Sequence, residues 1–100
     1  MIVIAGTIPV KPEMKEEARQ LALEMQKATC AEQGCHTYRF SFDLAEPNTL
    51  CIFEEWDSEE ALGKHFKTEH MKKFQQNAPR LLAGKLSATK YTVSSSASLF

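Results

Sequence analysis

The stretch Glu54–Phe74, EEWDSEEALGKHFKTEHMKKF, holds the single tryptophan and two of the three histidines of the chain. It opens at the end of an apolar run, Leu50-Cys51-Ile52-Phe53-Glu54-Glu55-Trp56, whose aromatic and β-branched content predicts a strand. Asp57 or Ser58 then caps a helix, and Glu60, three residues after Asp57, completes a capping-box pattern. On that helix His65 falls in line with Ala61, Leu62 and Phe66, which turns its ring toward the apolar side. A strand that runs directly into a capped helix fixes Trp56 relative to His65, as a small-molecule site requires.

The elements on either side complete the pattern. Cys35–Leu44 alternates, with His36, Tyr38, Phe40, Phe42 and Leu44 on one face and Thr37, Arg39, Ser41 and Asp43 on the other. Ala45-Glu46-Pro47-Asn48-Thr49 is a turn by its Pro-Asn chemistry, so the two runs pair as a hairpin. Upstream, Met14, Ala18, Leu21, Met25 and Ala28 recur at helical steps. Pro12 suits the helix start, and Gly34 the left-handed residue that ends it. Ile2–Ile8 predicts a first strand stopped by Pro9 and Pro12; Gly6 inside it marks a bulge or a close approach by another group. Downstream, Thr68 re-caps a short helical piece with Met71 and Phe74 as its apolar positions. Asn77-Ala78-Pro79 and Gly84 break that piece before a last strand, Lys85–Val93.

The order is β, α, β, β, α, β, the α+β ferredoxin-like plan with four antiparallel strands and the helices on one face. It predicts one domain over residues 1–93, followed by a flexible, Ser-rich tail over 94–100. The other sheet face carries aromatics and needs cover. A second sheet supplies it most economically, giving a homodimer with a barrel-like core. A chain of 100 residues also encloses a large cavity only at high cost, so a partner subunit is expected to complete part of any ligand wall.

Composition narrows the function. Twelve basic residues face thirteen acidic ones with no basic stripe, which argues against nucleic acid as a partner. No run approaches the roughly 18 apolar residues of a membrane span. The apolar start precedes any positive charge, the reverse of a signal peptide. Three cysteines, odd in number and without CxxC spacing, fit a reducing, cytoplasmic setting.

His65 is the leading candidate for chemistry: a desolvated imidazole stays neutral near pH 7 and suits a general base. The plainer reading is a core histidine bonded to a carbonyl. Trp56 either stacks on a planar ring or fills the strand–helix corner. Tyr38 and Arg39 offer a phenolic donor and a fixed positive charge, or serve as ordinary surface residues of the sheet. Glu54 shares a strand face with Trp56 and is placed to hold a histidine tautomer, or is solvated. His65 and His70, five residues apart, rotate off a common helical face. Together with His36 and Cys35 they lack the paired spacing of a zinc site, so no metal is expected. No GxGxxG, P-loop or GxSxG motif appears, so no nucleotide cofactor is expected either.

Two blocks carry a family resemblance. Glu32-Gln33-Gly34-Cys35-His36-Thr37-Tyr38 resembles the E-x-G-C-x-x-Y start of the second strand in the antibiotic biosynthesis monooxygenase family. Phe53–Leu62, followed by His65 and by Thr68-Glu69-His70-Met71, resembles its E-x-W-x-S-x-x-A-L-x-x-H-x-x-T-x-H-M block, most closely in the quinol monooxygenase-like group. The resemblance implies a dimeric α/β barrel with one pocket per subunit. It also implies oxidation of a small phenol or quinol by O2 without metal, flavin or other prosthetic group. By matching position, His65 is the base or proton shuttle, Trp56 walls the pocket, and Tyr38 and His70 are secondary polar contacts; Arg39 and Phe66 are further candidate substrate contacts without a motif match. Relatives that degrade haem use an asparagine on the first strand, and Ile2–Ile8 has none. Two alternatives stay open: an isomerase of a small phosphorylated carbonyl compound, with Arg39 and Arg80 as isolated phosphate ligands, and a non-catalytic dimeric binding module.

Overall fold

The computed structural model describes residues 1–100. In chain order it contains β1 (Ile2–Pro9), a 3-10 turn (Pro12–Met14), α1 (Lys15–Cys30), β2 (Cys35–Phe42), β3 (Thr49–Trp56), α2 (Glu59–His65), α3 (Glu69–Leu81) and β4 (Ser87–Thr92). The strands form one antiparallel sheet in the order β2-β3-β1-β4. This is the ferredoxin-like arrangement that the element order predicts, with the second helix divided in two.

Strand periodicity sends the even-numbered side chains of β1, β2 and β3 toward the helices. Ile2, Tyr38, Ile52 and Trp56 pack there with Met25 of α1 and Leu62 of α2. Ile8 and Leu50 pack with Ala18, Ala22 and Leu81. Register lines up Tyr38 with Glu54, Glu54 with Ile4, and Ile4 with Lys90, so these four residues form one row across the sheet. The next row contains Gly6, between Ile52 and Ala88. A Cβ on Gly6 would lie 2.8 Å from the Ala88 Cβ and closer still to the Ser87 carbonyl oxygen. Of the two predicted causes for this glycine, the close approach of β4 is the one found.

The helix predicted to run toward Gly34 ends at Cys30, and a turn follows in which Gly34 takes φ +86°. Its buried stripe is Ala18, Ala22, Met25 and Thr29, with Leu21 and Ala28 half-buried at its edges. A β-bulge between Cys35 and Thr37 takes His36 out of the Tyr38 face, and His36 bonds Asp57 instead. Leu44 lies beyond the end of β2 and is exposed. The helix predicted to break at Asn77–Pro79 continues to Leu81. Pro79 removes one helical hydrogen bond near the last turn. The apolar series Met71, Phe74, Ala78, Leu81 runs on through it and seats Leu81 in the core.

β2 is an edge strand, and α1 covers part of its free edge. The Phe40 amide donates to Gln26 Oε1 at 2.8 Å, and the Cys30 thiol donates to the Tyr38 carbonyl at 3.5 Å. The opposite sheet face presents Val3, Ala5, Cys51, Phe53 and Tyr91; Phe53 and Tyr91 are exposed. No strand or helix follows Thr92, and Leu99 and Phe100 are exposed. No helix is long and apolar enough to cross a membrane.

Candidate functional site

One hydroxyl brings the two histidines together. Thr68 Oγ1 accepts the Met71 amide as the N-cap of α3 and donates to the His65 carbonyl at 2.7 Å. The helix is therefore interrupted between His65 and Glu69, and the five-residue spacing no longer turns the rings apart. Their centroids lie 5.9 Å from each other. A single carboxylate oxygen, Glu32 Oε2, receives His65 Nδ1 at 2.8 Å and His70 Nε2 at 2.7 Å. An ionised carboxylate only accepts, so His65 carries its proton on Nδ1 and leaves Nε2 with a free lone pair. Burial pushes the His65 pKa down; the Glu32 bond and charge push the other way, and His70 adds a smaller downward effect. His65 is 1 % exposed, and the net downward shift favours its neutral form.

His65 lies against Trp56 (ring centroids 4.9 Å apart) and Tyr38 (5.4 Å). Trp56 is fully buried, and its indole N–H donates to Glu54 Oε1 at 2.8 Å. In the sequence Glu54 is placed to orient a histidine; in the structure Glu32 does that, and Glu54 holds the indole.

In front of this layer, between sheet and helices, lies a mostly apolar cavity of about 460 Å³. Ile4, Ile52 and Phe40 form much of its floor, while Leu62 of α2, Phe66 just after it, and Met71 and Phe74 of α3 form its roof. Its polar wall residues are Tyr38, Glu54, Glu59, Thr89 and Lys90. Lys90 Nζ is engaged by Glu59 Oε1 at 2.8 Å. Burial raises the Glu54 carboxyl above its usual range; the Trp56 bond opposes this and the Glu32 charge adds to it. Burial first, then the Glu54 charge, raise the Tyr38 phenol too, against a smaller lowering by the Thr29 side chain, so Tyr38 keeps its O–H proton. Cys35 is likewise pushed up to about 11 by burial, and its thiol is an inert packing group.

The structure thus gathers His65, Trp56, Tyr38, His70 and Phe66 into one region. Tyr38 and Phe66 line the cavity, whereas His65, Trp56 and His70 stand one layer behind it. Arg39 is separated from all of them. It pairs in register with Phe53 and projects from the opposite sheet face, because adjacent strand residues point to opposite sides.

Sequence reading gives Glu32 no role and assigns Glu54 to a histidine rather than to the Trp56 indole. Glu32 sits just past the C-terminal end of α1, where a negative charge opposes the helix dipole, which was a sign that it has a donor partner. Glu54 occupies the apolar alternation Leu50, Ile52, Glu54, Trp56, which was a sign that it is buried. Glu32, His65 and His70 also place three potential metal-ligand atoms within 4.8 Å of one another, a convergence that their sequence spacing argued against. A divalent ion bonded at about 2.0–2.2 Å would have to replace both N–H donors. As folded, the three groups satisfy each other by hydrogen bonds.

The sequence matches the family model described as antibiotic biosynthesis monooxygenase over residues 1–77. The chain belongs to this family. A Bacillus subtilis protein named "Putative monooxygenase YcnE" is 32 % identical over 94 residues, 94 % of this chain and 99 % of its own length. An uncharacterized protein of Synechocystis, sll1783, is 40 % identical over 82 residues, which cover 82 % of this chain but 56 % of that protein, so the chain spans little more than half of that relative. Among solved structures, Rv0793 from Mycobacterium tuberculosis superposes with a TM-score of 0.89 over 97 % of this chain and 98 % of its own, at 24 % identity, which speaks for the fold. Family proteins of this kind are commonly small dimers.

Proposed function

We propose that the protein is a cofactor-independent monooxygenase that oxidises a small quinol or phenol with O2 in the cavity between sheet and helices. The observation that carries this reading is the cavity itself: about 460 Å³, apolar, and backed by a neutral histidine and a buried tryptophan. That volume suits a ligand of one or two aromatic rings, and its apolar walls exclude water from an electron-rich phenolate. The phenolate donates one electron to O2, which avoids the spin barrier of a direct two-electron step. For a hydroquinone the balance closes without an outside reductant. One oxygen atom enters the ring, the other leaves as water, and the ring, ending as a hydroxyquinone, supplies all four electrons.

In this reading His65, oriented by Glu32, serves as a proton shuttle behind the wall. The His65–Glu32–His70 hydrogen bonds lead outward, since the His70 side chain is 25 % exposed. The phosphorylated-carbonyl alternative gains no support from the geometry. Arg39 is on the other face, Arg80 bonds Glu17 and Asn77, and Lys90 is held by Glu59. The homodimer expected from the sequence belongs to the same proposal, with Phe53 and Tyr91 of the open face meeting a second sheet.

O2 uptake over a panel of hydroquinones and naphthols tests the reaction, with metal-stripped protein and enzyme-free autoxidation subtracted. Uptake above background is expected, and a fall of about 10²-fold or more in His65→Ala. Background-level uptake across the panel would sink the oxidative reading.

A further inference from the structure

Nothing in the packing calls for a carboxyl group at position 54. The carboxylate is 9 % exposed, sits in the sheet row between Tyr38 and Ile4, and faces the cavity. Its one protein hydrogen bond comes from the Trp56 indole to Oε1. An amide oxygen would accept that N–H equally well and would spare the cost of burying a charge. Oε2 has no protein donor, yet it is not sealed off: Thr29 Oγ1 alone is a fully enclosed, unpartnered polar side-chain atom. The open space beside Glu54 is the cavity. The cation on the same row, Lys90, is committed to Glu59 and does not neutralise it. Tyr38, next in the row, has its phenol pKa raised by burial and does not take the proton of a ligand.

From this arrangement we infer that Glu54 is the catalytic residue that accepts the proton of a ring hydroxyl in the bound ligand, with Trp56 as the positioning residue that aims it. The inference rests on the oxidative reading above and names its first proton acceptor, a place that His65 does not occupy because it does not line the cavity. The step balances. The ligand O–H breaks and its proton goes to Glu54; the phenolate passes one electron to O2; the radical pair joins at a ring carbon to form a C–O bond. Glu54 returns its proton to the distal peroxide oxygen. That O–H and the hydrogen on the same ring carbon then leave as water, so the carboxylate ends as it began. A ligand without a donor hydroxyl leaves Oε2 unpaired, so the site selects phenols over their ethers.

Trp56 provides a reporter that does not depend on turnover. It is the single tryptophan, and its indole N–H is bonded to the carboxylate in question, so the ¹H–¹⁵N spectrum has one indole cross-peak that senses Glu54. The full-length protein is titrated under argon with hydroquinone and with 1,4-dimethoxybenzene, which has the same ring without donors. Hydroquinone is expected to shift the indole peak and to bind at least about tenfold more tightly than the ether, as for a hydrogen bond to a charged group. Glu54→Gln, whose amide dispersion shows that it is folded, is expected to lose that preference, while His65→Ala keeps it. Equal affinities, a preference that survives in Glu54→Gln, or no hydroquinone binding would overturn the inference. In air, Glu54→Gln is expected to lose about 10²-fold or more in O2 uptake. If the hydroxyl preference depends on Glu54 but the wild type consumes no O2, the acceptor site stands and the oxidation falls.

Discussion

Replacing Glu32 by alanine removes the acceptor shared by two imidazoles, and the structure sets the size of the effect. The His65 side chain is 2 % exposed, so its Nδ1–H would lose its partner with no water to replace it. An unsatisfied buried donor costs roughly 1–3 kcal/mol. His70 is a quarter exposed, and water can recover most of its lost bond, leaving about a few tenths of a kcal/mol from that side. The expected loss is therefore about 2 kcal/mol, or roughly 8–16 °C in Tm for a domain of this length. Urea unfolding at fixed protein concentration measures it, with an unchanged m-value as the sign that only stability has moved. A double-mutant cycle with His70→Ala should return a coupling much smaller than the effect of Glu32→Ala alone, because His65 carries most of it. A loss below about 0.5 kcal/mol for Glu32→Ala would refute the claim that Glu32 satisfies a buried imidazole.

Two further outcomes follow from the same geometry. Because the Glu54 pKa is raised on folding, the folded state holds a proton that the unfolded chain has released, so this residue makes the protein lose stability as pH climbs from the ordinary carboxyl range through the raised value. His65, lowered on folding, acts with the opposite sign and withdraws stability as pH falls below the ordinary imidazole range. Glu54→Gln should therefore gain stability over wild type with rising pH, about 1.4 kcal/mol for each unit of upward shift, while the acid-side decline from His65 remains; denaturant midpoints across pH would show a parallel pair of curves if Glu54 is not buried as a charge. Gly6→Ala should cost about 1–3 kcal/mol, because the added methyl meets the backbone of Ser87 and the Ala88 Cβ, and hydrogen exchange should show β4 opening first.

The sequence by itself determined the sheet and its two faces. Strand alternation put Tyr38, Phe40 and Trp56 on one side and Arg39 on the other, and capping residues marked where α2 and α3 begin. These signals are local: a period of two or a hydroxyl three residues ahead of an amide reads the same in any context. His65 was legible as a buried, neutral imidazole for that reason. What the sequence could not supply was distance between elements. Glu32 lies 33 residues before His65, and only the turn after α1, closed by Gly34, brings its carboxylate to both rings. The layering of the site is also tertiary. Whether a ring faces the cavity or stands behind it depends on how α2 tilts over the sheet, and that tilt is fixed by the packing of Leu62, Met25 and Trp56 rather than by any periodicity. So the chain announces which residues are unusual, and the fold decides that Glu54 and Tyr38 line the cavity while His65 does not.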